Sequence, residues 1–245
     1  MGWSFISLAH AAPDIIGHRQ NSMEQLEALA EAGLKYAEVD VQLSPDGRVI
    51  LSHSNDLKNL DRAPPLKDVL AHFKGLTFVI DFKSLPAEVL VTAVAKVVDQ
   101  SNAWGRVIFY STNSAHMRFL ETLQPQAVQF EDRRVTRLRL ENFLASHHKT
   151  CAPTSSAPWI GFEVERKMKV TETFKLGEES DEVVFTMWTP DSMRCTKSRA
   201  PQAKIVWFGV NSIDMYKQAE KAGVDAVFVD DPKVLLSAKG EVRSK

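Results

Sequence analysis

The sequence predicts an α/β fold, a single-domain (β/α)8 barrel, on three observations. Short apolar runs typical of strands alternate along the chain with amphipathic runs of helical period. Several strand runs end in a polar or charged residue, as parallel strands do when only their carboxyl ends reach solvent. The length of 245 residues fits one such barrel. We therefore expect one domain over 1–245, with an N-terminal segment at 1–13 and a C-terminal tail at 233–245.

The composition is that of an ordinary globular protein, with 44% apolar and 25% charged residues. The net charge is −1 and acids and bases are mixed, so nothing indicates nucleic-acid binding. No basic block indicates a membrane surface, and no apolar run is long enough to predict stable membrane insertion. The expected partner is a small molecule, and the oligomeric state stays open.

Two cysteines, Cys151 and Cys195, occur without any Cys-x-x-Cys or Cys/His clustering. They indicate neither a disulfide framework nor a zinc site, although a single bridge between them stays open. Residues 1–12 are mildly apolar but lack the basic start of a signal peptide. We therefore expect a reducing, cytoplasmic location, with secretion as the alternative.

Two of the first three predicted strands are followed by a histidine, which places both histidines at the mouth of the barrel. An apolar strand at 14–17 ends at His18. A second strand at 36–43 is followed by a Ser-Pro-Asp-Gly turn and a third at 48–52, which brings His53 back over the mouth.

The remaining elements follow by period and by their stop signals. Helices are predicted at 21–33, 66–73, 87–101, 114–123 and 212–222. Further strands are predicted at 76–81, 106–110, 127–131, 159–165, 183–188, 204–211 and 225–232. The runs between 127 and 200 are the hardest to assign, because nine strand-like runs compete for eight barrel positions.

Two acidic residues, Glu38 and Asp40, form a candidate metal site. Glu38 and Asp40 stand two apart on one strand, so both point to the same face, where like charges repel unless a cation lies between them. Asp81 and Lys83 share a face in the same way, directly after a buried run. Oxygen ligands favour Mg²⁺ or Ca²⁺. The alternatives are solvated acids on an edge strand and a solvated lysine at a strand end.

Four short motifs resemble the N-terminal signature of the glycerophosphodiester phosphodiesterase family. They are Gly-His-Arg at 17–19, Glu-Val-Asp-Val at 38–41, Ser-Pro-Asp-Gly at 44–47 and Ser-His at 52–53. The runs 204–211 and 225–232 resemble that family's closing motifs. Gln20 stands where the family has glutamate. The spacing Gly-His-x-x-Asn is instead similar to that of the related sphingomyelinase D and phospholipase D toxins. Those relatives usually lack Arg19, so the chain carries features of both branches.

The resemblance implies a metal-dependent phosphodiesterase acting on a glycerophosphodiester or a related polyol or sugar phosphodiester. His18 and His53 would be its acid–base pair, since imidazole exchanges protons near neutral pH. Divalent metal, Mg²⁺ or Ca²⁺, would be held by Glu38, Asp40 and Asp81. Phosphate and substrate would be bound by Arg19, Lys83 and Trp207, where Trp207 is either a pocket wall or a core aromatic.

Three alternatives stay open. The first is a sphingomyelinase D-like lyase that releases a cyclic phosphate, and the second is an agrocinopine-type sugar phosphodiesterase. The third is an inactive barrel that serves as a binding module. Elsewhere, we interpret the basic cluster at Arg133, Arg134, Arg137 and Arg139 as a solvated helix face, with a phosphate-orienting arginine from this segment as the alternative. We interpret Asp230 and Asp231 as caps of the barrel end rather than metal ligands.

Overall fold

The structure is a computed structural model and describes residues 11–53, 62–174 and 177–238. Most of the predicted N-terminal segment and the end of the predicted C-terminal tail lie outside these ranges. The strands are β1 (Asp14–Gly17), β2 (Tyr36–Leu43), β3 (Val49–Leu51), β4 (Thr77–Phe82), β5 (Val107–Tyr110), β6 (Trp159–Glu163), β7 (Glu165–Phe174), β8 (Gly177–Thr186), β9 (Lys204–Phe208) and β10 (Ala226–Val229). The helices are α1 (Met23–Glu31), α2 (Leu66–His72), α3 (Ala87–Gln100), α4 (Ser114–Leu123), α5 (Arg133–Ala145), α6 (Pro190–Arg199), α7 (Ile213–Ala222) and α8 (Pro232–Ala238).

The parallel strands form a closed ring. Seven of them pair in the order β5, β4, β2, β1, β10, β9, β6. The eighth position is occupied by 128–131, which pairs through single bridges: Phe130 N donates to Phe109 O on one side, and Glu131 N donates to Trp159 O on the other. The predicted (β/α)8 barrel is therefore confirmed, with its fifth strand reduced to two bridges.

The strand predicted at 183–188 is not part of the barrel. It lies largely in β8, which pairs antiparallel with β7 as a long ribbon between β6 and α6. A barrel strand is buried on both faces, whereas Val183 and Val184 are exposed here. The polar region 166–181, for which the sequence predicts no strand, supplies most of this ribbon. The competition of nine runs for eight positions is resolved in this way.

Aromatic side chains fill the barrel interior. The rings of Phe208 and Phe228 stack with centroids 4.4 Å apart, and Phe130 contacts both. Gly161 makes this packing possible, because a Cβ there would lie 2.4 Å from the Phe208 ring and 2.8 Å from that of Phe130. The barrel interior is therefore a packed core at this level rather than an open channel.

The arginines of α5 do not form a uniformly solvated face. Arg139 is completely buried and makes two hydrogen bonds to Glu131, of 2.6 Å and 2.8 Å, while its Nε donates to Pro153 O at 2.7 Å. The solvated interpretation is wrong for Arg139 because the buried carboxylate of Glu131 requires a paired cation. It holds for Arg134, which is exposed.

The single cysteine bridge left open by the sequence is formed. Cys151, in the loop after α5, is bonded to Cys195 of α6. The bridge anchors that loop, which also carries the carbonyl that accepts from Arg139. Among the helices of the described ranges, none is long and apolar enough to cross a membrane.

Candidate active site

The predicted acidic residues meet at the carboxyl ends of β2 and β4. Glu38 and Asp40 point to the same face of β2, and the register of the two strands sets Asp40 beside Asp81. One oxygen from each of the three carboxylates lies within 4.8 Å of the other two. All three residues are buried, so none of them is a solvated acid on an edge strand.

The cluster carries more negative charge than its surroundings neutralise. Desolvation, reinforced by Asp40 and Asp81, raises the pKa of Glu38 well above its usual range. Desolvation likewise raises the pKa of Asp81 to about 7, although Lys83 opposes the shift. Asp81 Oδ1 is buried and accepts no hydrogen bond from the described residues. A divalent cation fits this donor set, because it would bind hard oxygen ligands and remove their mutual repulsion.

Lys83 supplies the positive charge within the cluster. Its Nζ lies 2.8 Å from Asp40 Oδ1 and 2.6 Å from Asp81 Oδ2. Desolvation works against its charge, but the two carboxylates outweigh it and raise the pKa of Lys83 above the ordinary value. The ammonium therefore stays charged, and it is not the solvated strand-end lysine that the sequence left as an alternative.

The turn after β1 holds the carboxylates in place. The backbone N–H of Arg19 donates to Glu38 Oε2 at 2.7 Å, and the side chain of Arg19 is exposed. Asn21 Nδ2 donates to Asp40 Oδ2 at 2.7 Å, and the backbone N–H of Asp40 donates to Asn21 Oδ1 at 2.8 Å. Ser22 rather than Asn21 caps α1. The sequence analysis used the Gly-His-x-x-Asn spacing only as a resemblance and did not predict that Asn21 binds Asp40.

His18 stands between the acidic cluster and the last barrel strand. Its Nδ1 lies 2.5 Å from Asp230 Oδ1, and its Nε2 lies 3.8 Å from Glu38 Oε2. Asn211 Nδ2 donates to the other oxygen of Asp230 at 2.5 Å. Although desolvation opposes it, hydrogen bonding from His18 and Asn211 lowers the pKa of Asp230. The sequence analysis assigned Asp230 only to the barrel end, and it missed this contact with His18.

His53 lies at the rim, one residue beyond the point where Ser52 N donates to Asp40 O at 2.9 Å. Its side chain is exposed. Partial desolvation lowers the pKa of His53, and the charges of Arg19, Lys83 and His18 lower it further while Asp40 opposes them. His53 is thus within electrostatic range of the acidic cluster and is favoured in the neutral form.

A second polar group lies beside the cluster, at the segment where the sequence left a phosphate-orienting arginine as the alternative. Arg133 Nη1 donates to the hydroxyl of Tyr110 at 2.9 Å, and its Nη2 forms an ion pair with Glu163. Tyr110 is the register partner of Asp81 on the neighbouring strand. The solvated interpretation of the basic cluster therefore fails for Arg133 as well, whose side chain is only 14% exposed.

Trp207 does not lie with the other predicted site residues at the mouth of the barrel. It is buried in the layer between the barrel and its helices, where its ring stacks with Trp188 at a centroid distance of 6.4 Å. Its strand neighbours Val206 and Phe208 point into the barrel instead. Alternation along β9 therefore favours the core role for Trp207 over the pocket wall.

The chain is similar to two curated proteins of Mycobacterium tuberculosis. One is the uncharacterised protein Rv2277c of strain H37Rv, and the other is an uncharacterised protein of strain CDC 1551. Each is 39% identical over 158 residues, which is 64% of this chain and 51% of the relative. The chain thus spans about half the length of the relatives it matches. No protein-family model matches the chain.

Solved structures share the fold over nearly the whole chain. The glycerophosphoryl diester phosphodiesterase domain of Rv2277c superimposes with a TM-score of 0.74 and 28% identity, over 94% of this chain and 99% of that domain. An Oleispira antarctica phosphodiesterase in complex with the product sn-glycerol-3-phosphate gives a TM-score of 0.66 at 17% identity, and the match covers 94% of this chain and 97% of that one. A glycerophosphodiester phosphodiesterase from Agrobacterium tumefaciens gives a TM-score of 0.64 at 15% identity, and the match covers 93% of this chain and 99% of that one. The last two, at their low identity, support the fold alone.

Proposed function

The chain belongs to the glycerophosphodiester phosphodiesterase superfamily, and we propose that it is a metal-dependent phosphodiesterase acting on a glycerophosphodiester or a related polyol or sugar phosphodiester. The observation that carries this proposal is the buried cluster of Glu38, Asp40 and Asp81. Excess negative charge at the mouth of the barrel, next to a histidine, favours a bound cation over a structural role. The cation would in turn attract the anionic phosphodiester.

Glu38, Asp40 and Asp81 would hold the divalent ion, Mg²⁺ or Ca²⁺. When bound, the ion supplies positive charge that orients the diester and stabilises the charge that develops on its oxygens. The three carboxylates come from two adjacent strands whose register is set by backbone hydrogen bonds, so the ligands are preorganised.

Lys83 and Arg19 would add fixed positive charge for the phosphoryl oxygens. The ammonium of Lys83 is already within the cluster, and its charge is secured by Asp40 and Asp81. The guanidinium of Arg19 is exposed at the mouth, where it can reach a ligand that arrives from solvent. Both groups favour a dianionic transition state over the monoanionic diester.

His18 and His53 would act as the acid–base pair. Asp230 orients the His18 ring, and a neutral His18 that donates from Nδ1 leaves Nε2 free to exchange a proton with the substrate. His53, with its lowered pKa, suits the role of base at neutral pH. One histidine takes the proton of the attacking hydroxyl or water, and the other returns a proton to the leaving alkoxide.

A cyclising lyase of the sphingomyelinase D type is the second candidate. The Gly-His-x-x-Asn spacing favours it, because this spacing resembles that of the sphingomyelinase D toxins, and Asn21 of the motif lies in the site, where it makes two hydrogen bonds with Asp40. Phosphorus NMR of the products formed from glycerophosphocholine and from a lysophospholipid would separate the two. A persistent cyclic phosphate signal would decide for the lyase, and a monoester signal for the hydrolase.

The test of the proposed function is turnover of bis(p-nitrophenyl) phosphate with Mg²⁺ or Ca²⁺ and after chelation by EDTA. We expect activity only with the metal, and a loss of roughly a hundredfold or more in His18→Ala and in His53→Ala. His72→Ala, which alters an exposed histidine of α2, is the matched control. Unchanged turnover in both active-site variants would refute the acid–base pair, and inactivity of the wild type on every phosphodiester would favour the binding module.

A further inference from the structure

We propose that Arg133, Glu163 and Arg166 form the subsite for the alcohol group of the substrate, and that this subsite selects a hydroxyl-rich alcohol over a cationic one such as choline. The inference rests on the proposed function, because it names the substrate class of the same site. Its three residues come from α5, β6 and β7, outside the segments that carry the acidic cluster.

The position of this subsite follows from the order of the strands. Around the barrel, the acidic cluster lies on β2 and β4, and His18 lies on one side of it, at the end of β1. Tyr110 lies on the other side, at the end of β5, and Arg133 donates to its hydroxyl. A diester whose phosphate is at the cluster, with one substituent pointing away from His18, therefore extends that substituent toward Arg133.

The subsite is a connected group of charges. Glu163 pairs with Arg133 through Oε1, and Arg166 Nη1 lies 3.9 Å from its Oε2. Both guanidinium groups also lie over the Phe162 ring, with 4.5 Å and 5.5 Å between the Cζ atoms and the centroid. The rotamers of the two arginines are thus held by a carboxylate and an aromatic ring together, as a preorganised binding site requires.

The charge and hydrogen-bonding capacity of the group point to its ligand. Two guanidiniums share one carboxylate, so the group is net positive and disfavours a quaternary ammonium. Glu163 Oε2 is buried and accepts no hydrogen bond from the described residues, and Arg166 is too far for one. A hydroxyl donates to such an oxygen and accepts from a guanidinium N–H, whereas the trimethylammonium group of an esterified choline does neither.

The experiment compares kcat/KM for glycerophosphoglycerol, glycerophosphocholine and bis(p-nitrophenyl) phosphate. The variants are Arg133→Met and Glu163→Gln. Their controls are Arg134→Met, on the exposed side of the same helix turn, and Glu165→Gln, an exposed acid at the start of β7. If a substitution at Arg133 prevents folding, Arg166→Met tests the same subsite from the ribbon outside the barrel.

We expect the wild type to prefer glycerophosphoglycerol over glycerophosphocholine. Arg133→Met should reduce that preference by roughly ten- to hundredfold, mostly through KM, because it removes a positive charge and a hydrogen-bond donor. Glu163→Gln should lower kcat/KM for glycerophosphoglycerol relative to bis(p-nitrophenyl) phosphate, because the hydroxyl loses a charged acceptor, while the controls keep both ratios. A wild type that prefers glycerophosphocholine, or variants that lose activity equally on all three substrates, would overturn the inference while the proposed function stands. An inactive wild type would instead refute the proposed function.

Discussion

His18 Nδ1 lies 2.5 Å from Asp230 Oδ1, although the two residues are 212 positions apart in the chain. The contact crosses the junction of β1 and β10, where the first barrel strand pairs with the last. Closure of the barrel is therefore what orients the histidine, and the remaining ring nitrogen faces the acidic cluster at 3.8 Å from Glu38.

Asp230→Asn should lower kcat by roughly ten- to hundredfold with little change in KM, because the amide no longer selects the orientation and tautomer that His18 needs. Steady-state kinetics on bis(p-nitrophenyl) phosphate measures this split. Asp231→Asn is the matched control, since Asp231 is exposed and its side chain only accepts from Lys233 N. Equal loss in both variants would mean that Asp230 acts through folding.

Lys83→Met should have opposite effects on metal binding and on turnover. Removing the ammonium between Asp40 and Asp81 leaves more negative charge for a divalent cation, so its affinity should rise by roughly tenfold. At the same time kcat should fall, because the phosphoryl oxygens lose a cation. Calorimetric titration with Mg²⁺ or Ca²⁺ measures the first effect, with Lys74→Met as an exposed control. Weaker cation binding in Lys83→Met would contradict the charge argument.

The stability of the metal-free protein should fall as pH rises from about 4 to about 7. Asp81 has a pKa of about 7 in the folded chain against its usual 3.8, so in this window the folded state binds more protons than the unfolded state. The proton-linked stabilisation is complete below 3.8 and is lost as Asp81 ionises beside Asp40.

Urea unfolding at several pH values with EDTA measures the effect. Saturating Mg²⁺ or Ca²⁺ should cancel most of the decline, because the ion binds the ionised carboxylates of the folded chain. Asp81→Asn should flatten the metal-free profile. A profile that is the same with and without the metal would contradict a cation site at this cluster.

Arg139→Met should destabilise the fold by about 3–5 kcal/mol, because it leaves Glu131 buried with an uncompensated charge. The double variant with Glu131→Gln should recover much of that loss, since the buried charge is then gone. Arg134→Met, on the exposed side of α5, should change the free energy of unfolding little. Urea denaturation of these variants and of Glu131→Gln alone tests this, and a double variant equal to the sum of the two single variants would show that the two side chains are not coupled.

Loss of the Cys151–Cys195 bridge should lower the free energy of unfolding by about 2–4 kcal/mol, because the bridge restricts the unfolded chain. Urea denaturation of the oxidised wild type, compared with that of the reduced wild type and of Cys151→Ser, measures this. Thiol trapping in cells also tests the expected cytoplasmic location, since disulfides persist in oxidising compartments. Two free thiols in the trapped protein would support the cytoplasm, and an oxidised pair would oppose it.

Local patterns alone predicted much of the candidate site. The alternation of Glu38 and Asp40 along one strand determines that both carboxylates share a face, whatever the rest of the chain does. The same argument applies to Asp81 and Lys83. These residues were predicted together because each pair lies on a single strand, and a strand body has only two faces.

The tertiary structure alone decided which distant residues complete the site. Asp230 reaches His18 only through closure of the ring, and Arg133 was grouped with solvated arginines because helical spacing does not tell which face is covered. Trp207 points outward because the register of β9 places Val206 and Phe208 inside. Side-chain period is a local property of the chain, whereas ring closure and strand register depend on contacts between segments that no local pattern specifies.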